Sequence, residues 1–199
     1  MKIIQYEEEV SWMDGRKGKI TGTKVKDLIN KRSTKPKLGF YEIIAERIAV
    51  PATQENAMDR GKRIEEEAIE RFAEKTKKKV NTDLVIWQRE DEPDIAISPD
   101  GFIGKTEAVE VKCLSSARHI EAWMTQEIPN EYEYQVLQYF VVNDELKILH
   151  FVFYDPRMPK DLFWIDVKRE DIEDKIKEVL EIEREALKKI KEMEVKLTF

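Results

Sequence analysis

The stretch that most constrains this chain is residues 97–114, ISPDGFIGKTEAVEVKCL. Ile97, Phe102 and Ile103 are apolar, Gly104-Lys105-Thr106 supplies turn chemistry, and residues 108–113 alternate with the period of two expected of a strand. The pattern predicts two short strands around a turn. Because side chains alternate across a strand, Glu110 and Lys112 project from one face, and Val109, Val111 and Cys113 from the other, toward the core. With the turn centred on Lys105, a symmetric hairpin sets Asp100 opposite Glu110, with Cβ atoms about 5 Å apart. A bulge near Gly101 would change that register. Two carboxylates and an ammonium then converge on one edge of a sheet. Neighbouring carboxylates repel unless a positive charge lies between them, and a divalent metal is such a charge.

Exposed Asp, Glu and Lys are common, and 38% of this chain is charged. A bare match of Asp, nine residues, then Glu-x-Lys would therefore read as a solvated hairpin face. Here Pro99 precedes Asp100, Gly101 follows it, and the Glu-x-Lys strand is otherwise apolar. Taken on strand–turn–strand, the pattern is the signature of the PD-(D/E)XK nucleases, with their restriction-endonuclease-like core.

The 199 residues suffice for one sizeable core, and the expectation is a single domain over 1–199. Hydrophobic content of 41%, with four Trp and eight Phe, fits a globular protein. One cysteine excludes an intramolecular disulfide and a multi-cysteine metal site, and suits a reducing cytoplasm. No apolar run approaches the roughly 20 residues of a membrane span. The acidic N-terminal MKIIQYEEEV does not resemble a signal peptide. No membrane association is expected. The formal net charge of −6 excludes wholesale electrostatic binding of nucleic acid, so contacts to DNA would come from local Arg and Lys clusters.

In order, the sequence predicts a glycine-rich loop up to residue 22 and a helix over 23–30 capped by Thr23. A basic loop over 31–37 comes next, and then helices over 39–49 and 55–78. A strand over 80–87 precedes the hairpin. A short helix over 116–124 starts from a Ser115 or Ser116 cap, and a helix over 131–142 carries Tyr132, Gln135, Gln138 and Tyr139. Strands over 146–154 and 162–167 bracket the turn DPRMPKD. A charged amphipathic helix over about 170–193 packs on the core or at an oligomer contact. The fold class is α/β (or α+β), a mixed central sheet flanked by helices.

SPDG at 98–101, EVKC at 110–113, YDPRM at 154–158, R-x-G-x-ITGT at 16–23 and RGKRIEEEA at 60–68 occur in one order. In these pieces the chain resembles the bacteriophage lambda exonuclease family, the YqaJ-like viral recombinases. The resemblance implies a Mg²⁺-dependent 5′→3′ exonuclease acting on double-stranded DNA ends and leaving 3′ single-stranded overhangs for phage-type recombination. It also implies a single-strand annealing protein as partner, a homotrimeric ring, and a phage or prophage protein working in the bacterial cytoplasm. Two other functions compete: another PD-(D/E)XK repair or CRISPR-adaptation nuclease, and a non-catalytic scaffold that binds DNA ends. The single cysteine disfavours the CRISPR-adaptation type, and intact Asp100, Glu110 and Lys112 disfavour the scaffold.

Asp100 and Glu110 are the candidate metal ligands, and the Val111 backbone carbonyl can add a third oxygen. Mg²⁺ takes hard oxygen ligands and keeps waters, so a sparse protein shell suffices, with Mn²⁺ as a substitute. Lys112 would orient or help deprotonate the attacking water and offset charge at the scissile phosphate. Glu65 matches the family's RG-x-x-x-E, while Glu66 and Glu67 read as a solvated helix face. Gln135 matches the family's helix glutamine, with Gln138 as the competing residue. Arg16, Thr23 and Arg32 resemble the family's pocket for a terminal 5′ phosphate, although Thr23 as a helix cap and Lys31, Lys35 and Lys37 in place of Arg32 remain alternatives. Arg118 matches a family arginine that approaches DNA; an exposed arginine without a role is the other reading. His119 and His150 lack metal-ligand spacing and read as structural, and residues 154–158 read as a structured turn.

Overall fold

A computed structural model of the protein describes residue 11 and residues 37–49 and 57–197. The predicted helix over 23–30 and the basic loop before residue 37 lie outside the described residues. Along the chain run α1 (Leu38–Ile48), α2 (Ala57–Thr76), β1 (Trp87–Gln88), β2 (Ala96–Ile97), β3 (Gly101–Ile103) and β4 (Glu107–Lys112). They are followed by α3 (Ser116–Thr125), α4 (Glu133–Val142), β5 (Ile148–Tyr154), β6 (Leu162–Lys168) and α5 (Glu173–Leu197). Strands β3, β4, β5 and β6 are neighbours in that order in one sheet, and β1 pairs with β2 in a separate two-stranded ribbon. The architecture is mixed α/β with helices flanking the sheet, as the sequence predicts.

The chain divides into two compact units. The described parts of 1–64 form one with 113–126 and 153–163; residues 65–112, 127–152 and 164–197 form the other. In the first, Tyr41 of α1 meets Ala117 and Ile120 of α3 and Met158 of the turn after β5, with Leu38, Ile44, Ala45 and Ala49 packed around them. Ile48, which the periodicity turns inward, is exposed. The Tyr154-to-Met158 turn is structured, as predicted. Buried Asp155 accepts from Ser116 Oγ at 2.5 Å and from Arg157 Nε at 2.8 Å and Nη2 at 2.9 Å. Ser116 is thereby occupied, and Ser115 stands at the N-cap position of α3, as predicted, although its side chain makes no capping hydrogen bond.

The second unit carries the hairpin. Ala108, Val109, Glu110 and Val111 are all buried, so β4 is covered on both faces rather than one. The predicted strand over 80–87 does not form. Asn81 makes one bridge to Phe102, and regular pairing resumes only at Trp87. Asn81 Oδ1 accepts from Asp83 N at 2.7 Å and Asn81 Nδ2 donates to Asp83 Oδ2 at 3.0 Å, a local side-chain turn that competes with a strand ladder. Leu84 and Ile86 are left exposed.

Helix α4 has no basic residue in its last turn. Arg169, from a turn of 3₁₀ helix after β6, supplies the missing donors. Its Nη2 donates to the carbonyls of Phe140 at 2.6 Å and Asn143 at 2.7 Å, and its Nε to Leu146 O at 2.8 Å. Carbonyls at a helix C-terminus have no intrahelical partner, and a cation there also suits the helix dipole. Arg169→Met should remove these donors while keeping much of the apolar stem. The expected loss is about 2–4 kcal/mol of unfolding free energy, measured by urea denaturation. A variant as stable as wild type would show that the α4 terminus does not need this arginine.

Candidate active site

The hairpin fixes the first carboxylate. Its register pairs Gly101 with Val109, Phe102 with Ala108 and Ile103 with Glu107, around a turn in which Gly104 has φ +58°. Continued by one residue, that antiparallel register sets Asp100 across from Glu110, as the sequence predicts. Asp100 lies immediately before β3, and its Oδ2 accepts from Val111 N at 2.7 Å. Gly101 is needed here for space: a Cβ at this position would fall 2.6 Å from Val80 Cγ1.

Glu110 is 2% exposed and its carboxylate is held by three donors. Oε1 accepts from Lys112 Nζ and from Gln135 Nε2, the latter at 2.6 Å, while Oε2 accepts from the Tyr139 hydroxyl. Gln135 and Tyr139 are four residues apart on α4, hence on one face of that helix. Lys112 Nζ also lies 5.1 Å from the centroid of the Tyr132 ring, a cation–π contact. Of the two candidate glutamines, Gln135 is the one that reaches Glu110, whereas Gln138 Nε2 points to Ala96 O at 3.4 Å.

Electrostatics set the demand of this pair. The Asp100 carboxyl is pushed up to about 7, by burial first and then by the charges of Glu110 and, more weakly, Glu65. The Val111 N–H and the Lys112 ammonium pull the other way without cancelling the rise. The Tyr139 phenol is pushed well above its ordinary value by burial and by Glu110, so it remains a donor. Glu65 and Asp100 line a groove of about 670 Å³ together with Glu66, Ile69, Asp83 and Leu84. Glu66 is exposed, as expected of a solvated face, and Glu65 is half-buried.

A divalent cation suits this arrangement. The donors are hard carboxylate oxygens, and they repel one another. Among the described residues no group of three or more His, Cys, Asp or Glu side chains is arranged to hold a metal.

The remaining predicted residues fall as follows. Arg118 is half-buried on α3, in the first unit. Arg16, Thr23 and Arg32 lie outside the described residues. Cys113, core by strand alternation, is exposed. The reason is that β4 ends at Lys112, and the alternation stops with it. His119 is buried, with Nε2 2.8 Å from Lys160 O. His150 lies between Asp166, at 2.6 Å from Nδ1, and Glu107, at 2.8 Å from Nε2. The sequence pattern puts Tyr139 on the helix without giving it a role; the signal for one is its four-residue spacing from Gln135.

A model of the YqaJ-like viral recombinase domain matches residues 11–145, a span that contains Asp100, Glu110, Lys112, Gln135 and Tyr139. The chain belongs to this family. Solved structures agree with that assignment. The crystal structure of an alkaline exonuclease (LHK-Exo) from Laribacter hongkongensis is similar at 26% identity and a TM-score of 0.55, covering 94% of this chain and 99% of that one. The structure of LHK-Exo in complex with dAMP gives the same values. None of the curated proteins matches the chain. The YqaJ-like span includes the whole hairpin and all of α4, and stops before the Asp155–Arg157 turn.

The raised Asp100 carboxyl has a consequence for stability. An acid whose pKa is raised on folding favours the folded state at low pH, and that contribution disappears as pH rises through the folded value. Metal-free protein should therefore lose stability between about pH 4 and the folded value of about 7. Asp100→Asn keeps an oxygen for the Val111 N–H and removes the charge. In EDTA at pH 8 this variant should melt at a higher temperature than wild type, with the gap shrinking toward pH 4. A gap independent of pH would refute the electrostatic reading of the pair.

Proposed function

We propose that this YqaJ-like protein is a Mg²⁺-dependent 5′→3′ exonuclease that acts on double-stranded DNA ends. It would leave 3′ single-stranded overhangs for phage-type recombination. The observation that carries the proposal is the pairing of half-buried Asp100 with buried Glu110, with Lys112 on the same hairpin edge, within a chain of this family and similar to an alkaline exonuclease.

Asp100 and Glu110, with the Val111 carbonyl, would hold the ion, and Mn²⁺ would substitute for Mg²⁺. When bound, the ion supplies Lewis-acid polarisation of a phosphoryl oxygen and activation of water. Lys112 brings a positive charge on a flexible stem to the scissile phosphate and orients the attacking water. Gln135 holds the Glu110 carboxylate, and Glu65 adds a carboxylate on the groove side. Hydrolysis breaks the bond between phosphorus and the 3′ oxygen of the terminal nucleotide. The shortened strand then carries a fresh 5′ phosphate.

That product sets the role proposed for Arg16, Thr23 and Arg32. A terminal phosphate has more charge and more acceptor oxygens than an internal diester, and guanidinium groups bind it through paired hydrogen bonds. Holding it would place the next diester at the carboxylates and give 5′→3′ direction by geometry. Arg118 would contact the DNA backbone. A homotrimer enclosing DNA, a single-strand annealing protein as partner, and action in the bacterial host cytoplasm belong to the same reading. Among the described residues no helix is long and apolar enough to cross a membrane.

End-labelled duplexes test the proposal. With Mg²⁺ the wild type should release mononucleotides from 5′ ends, and EDTA, Asp100→Ala or Glu110→Ala should abolish release while leaving the fold intact. Internal cuts would indicate an endonuclease, and full activity in EDTA would refute the metal. A 5′ phosphate should speed digestion about ten- to hundredfold over a 5′ hydroxyl, the equivalent of one charge-assisted contact. Arg16→Ala should remove most of that difference. Equal rates on both ends in the wild type would remove the phosphate pocket from the account.

A further inference from the structure

We propose that Tyr139 is a positioning residue for the metal site, fixing the rotation of the Glu110 carboxylate through its Oε2 oxygen. The inference rests on the nuclease reading above. Two of the three donors on Glu110, Lys112 Nζ and Gln135 Nε2, converge on Oε1. Among the described residues the Tyr139 hydroxyl is the donor that reaches Oε2. Turning about Cγ–Cδ moves both oxygens together, so the donors on Oε1 and the single donor on Oε2 restrain the carboxylate from opposite ends, and loss of the Tyr139 hydroxyl leaves Oε2 unheld.

The three donors also differ in stiffness. Lys112 sits on a flexible four-carbon stem, and its ammonium is required elsewhere in the reaction. Tyr139 has a rigid ring with no exposed surface. Trp87 packs edge-on against that ring at 6.4 Å and 85°, and Phe102 of the hairpin's first strand packs against Trp87 at 5.7 Å and 64°. The hydroxyl is therefore located by aromatic packing that includes the hairpin itself. Mg²⁺ demands near-ideal octahedral geometry at about 2.0–2.1 Å, so the orientation of its ligand oxygens matters to affinity.

Tyr139→Phe keeps the ring and removes the hydroxyl. Calorimetric titration of Mg²⁺ into DNA-free protein should show affinity about 10–100-fold weaker than wild type, the usual cost of losing a group that orients a metal ligand. In digestion assays the Mg²⁺ concentration for half-maximal rate should rise by the same factor, while KM for duplex at saturating Mg²⁺ stays within about twofold. A purely structural tyrosine would lower Tm in EDTA and leave Mg²⁺ affinity unchanged; that result overturns the inference and leaves the nuclease reading standing. A wild type that neither binds Mg²⁺ nor digests DNA overturns both. Should Tyr139→Phe fail to fold, the wild type still decides. Its Tyr139 hydroxyl proton should give a downfield NMR resonance that moves on saturation with Mg²⁺, and a resonance that stays in place overturns the inference.

Discussion

The structure depends most on the repulsion between two carboxylates, buried Glu110 and half-buried Asp100, that the hairpin register sets opposite each other. A carboxylate removed from water without a partner is costly, and two side by side are more so. The protein meets this with fixed donors. Val111 N–H holds Asp100, and Lys112, Gln135 and Tyr139 hold Glu110. The compensation is incomplete, because Asp100 still has its carboxyl pushed up to about 7. The proposed divalent cation would supply the positive charge that these donors leave wanting.

Rigidity at that point is supplied from a distance. Helix α4 presents Gln135 and Tyr139, and its C-terminal carbonyls are held by Arg169 and by Arg89, which donates to Val141 O and pairs with Asp144 through its two terminal guanidinium nitrogens. The helix packs against α5 and β2, so the ribbon β1–β2 that carries Trp87 is tied to the same helix. On β4, burial of both faces keeps water from Glu110, which strengthens each hydrogen bond it accepts. Polar satisfaction at the site and packing of the unit are thus one problem with one solution.

Much of this was legible in the sequence because it follows from period and turn chemistry. The Gly104 turn and the Asp100–Glu110 register need only local information, and both hold. What was not legible depends on contacts distant in sequence. The apolar run before Trp87 looks like a strand, yet the Asn81–Asp83 turn takes the backbone first. Alternation turns Glu110 away from the core, whereas both faces of β4 are covered. Gln135 and Gln138 are equivalent by composition, and only the placement of α4 separates them. The same placement turns Tyr139 from a core aromatic into a partner of the site.

The central claim is that a divalent cation completes the Asp100–Glu110 pair. Anomalous diffraction from a crystal of the protein soaked in Mn²⁺ tests it most directly. The account predicts a strong anomalous peak within coordinating distance of oxygens from both carboxylates, lost in crystals of Asp100→Asn. An empty pair under saturating Mn²⁺, or a peak confined to Glu66, Glu70 or Asp83 along the groove, would contradict it.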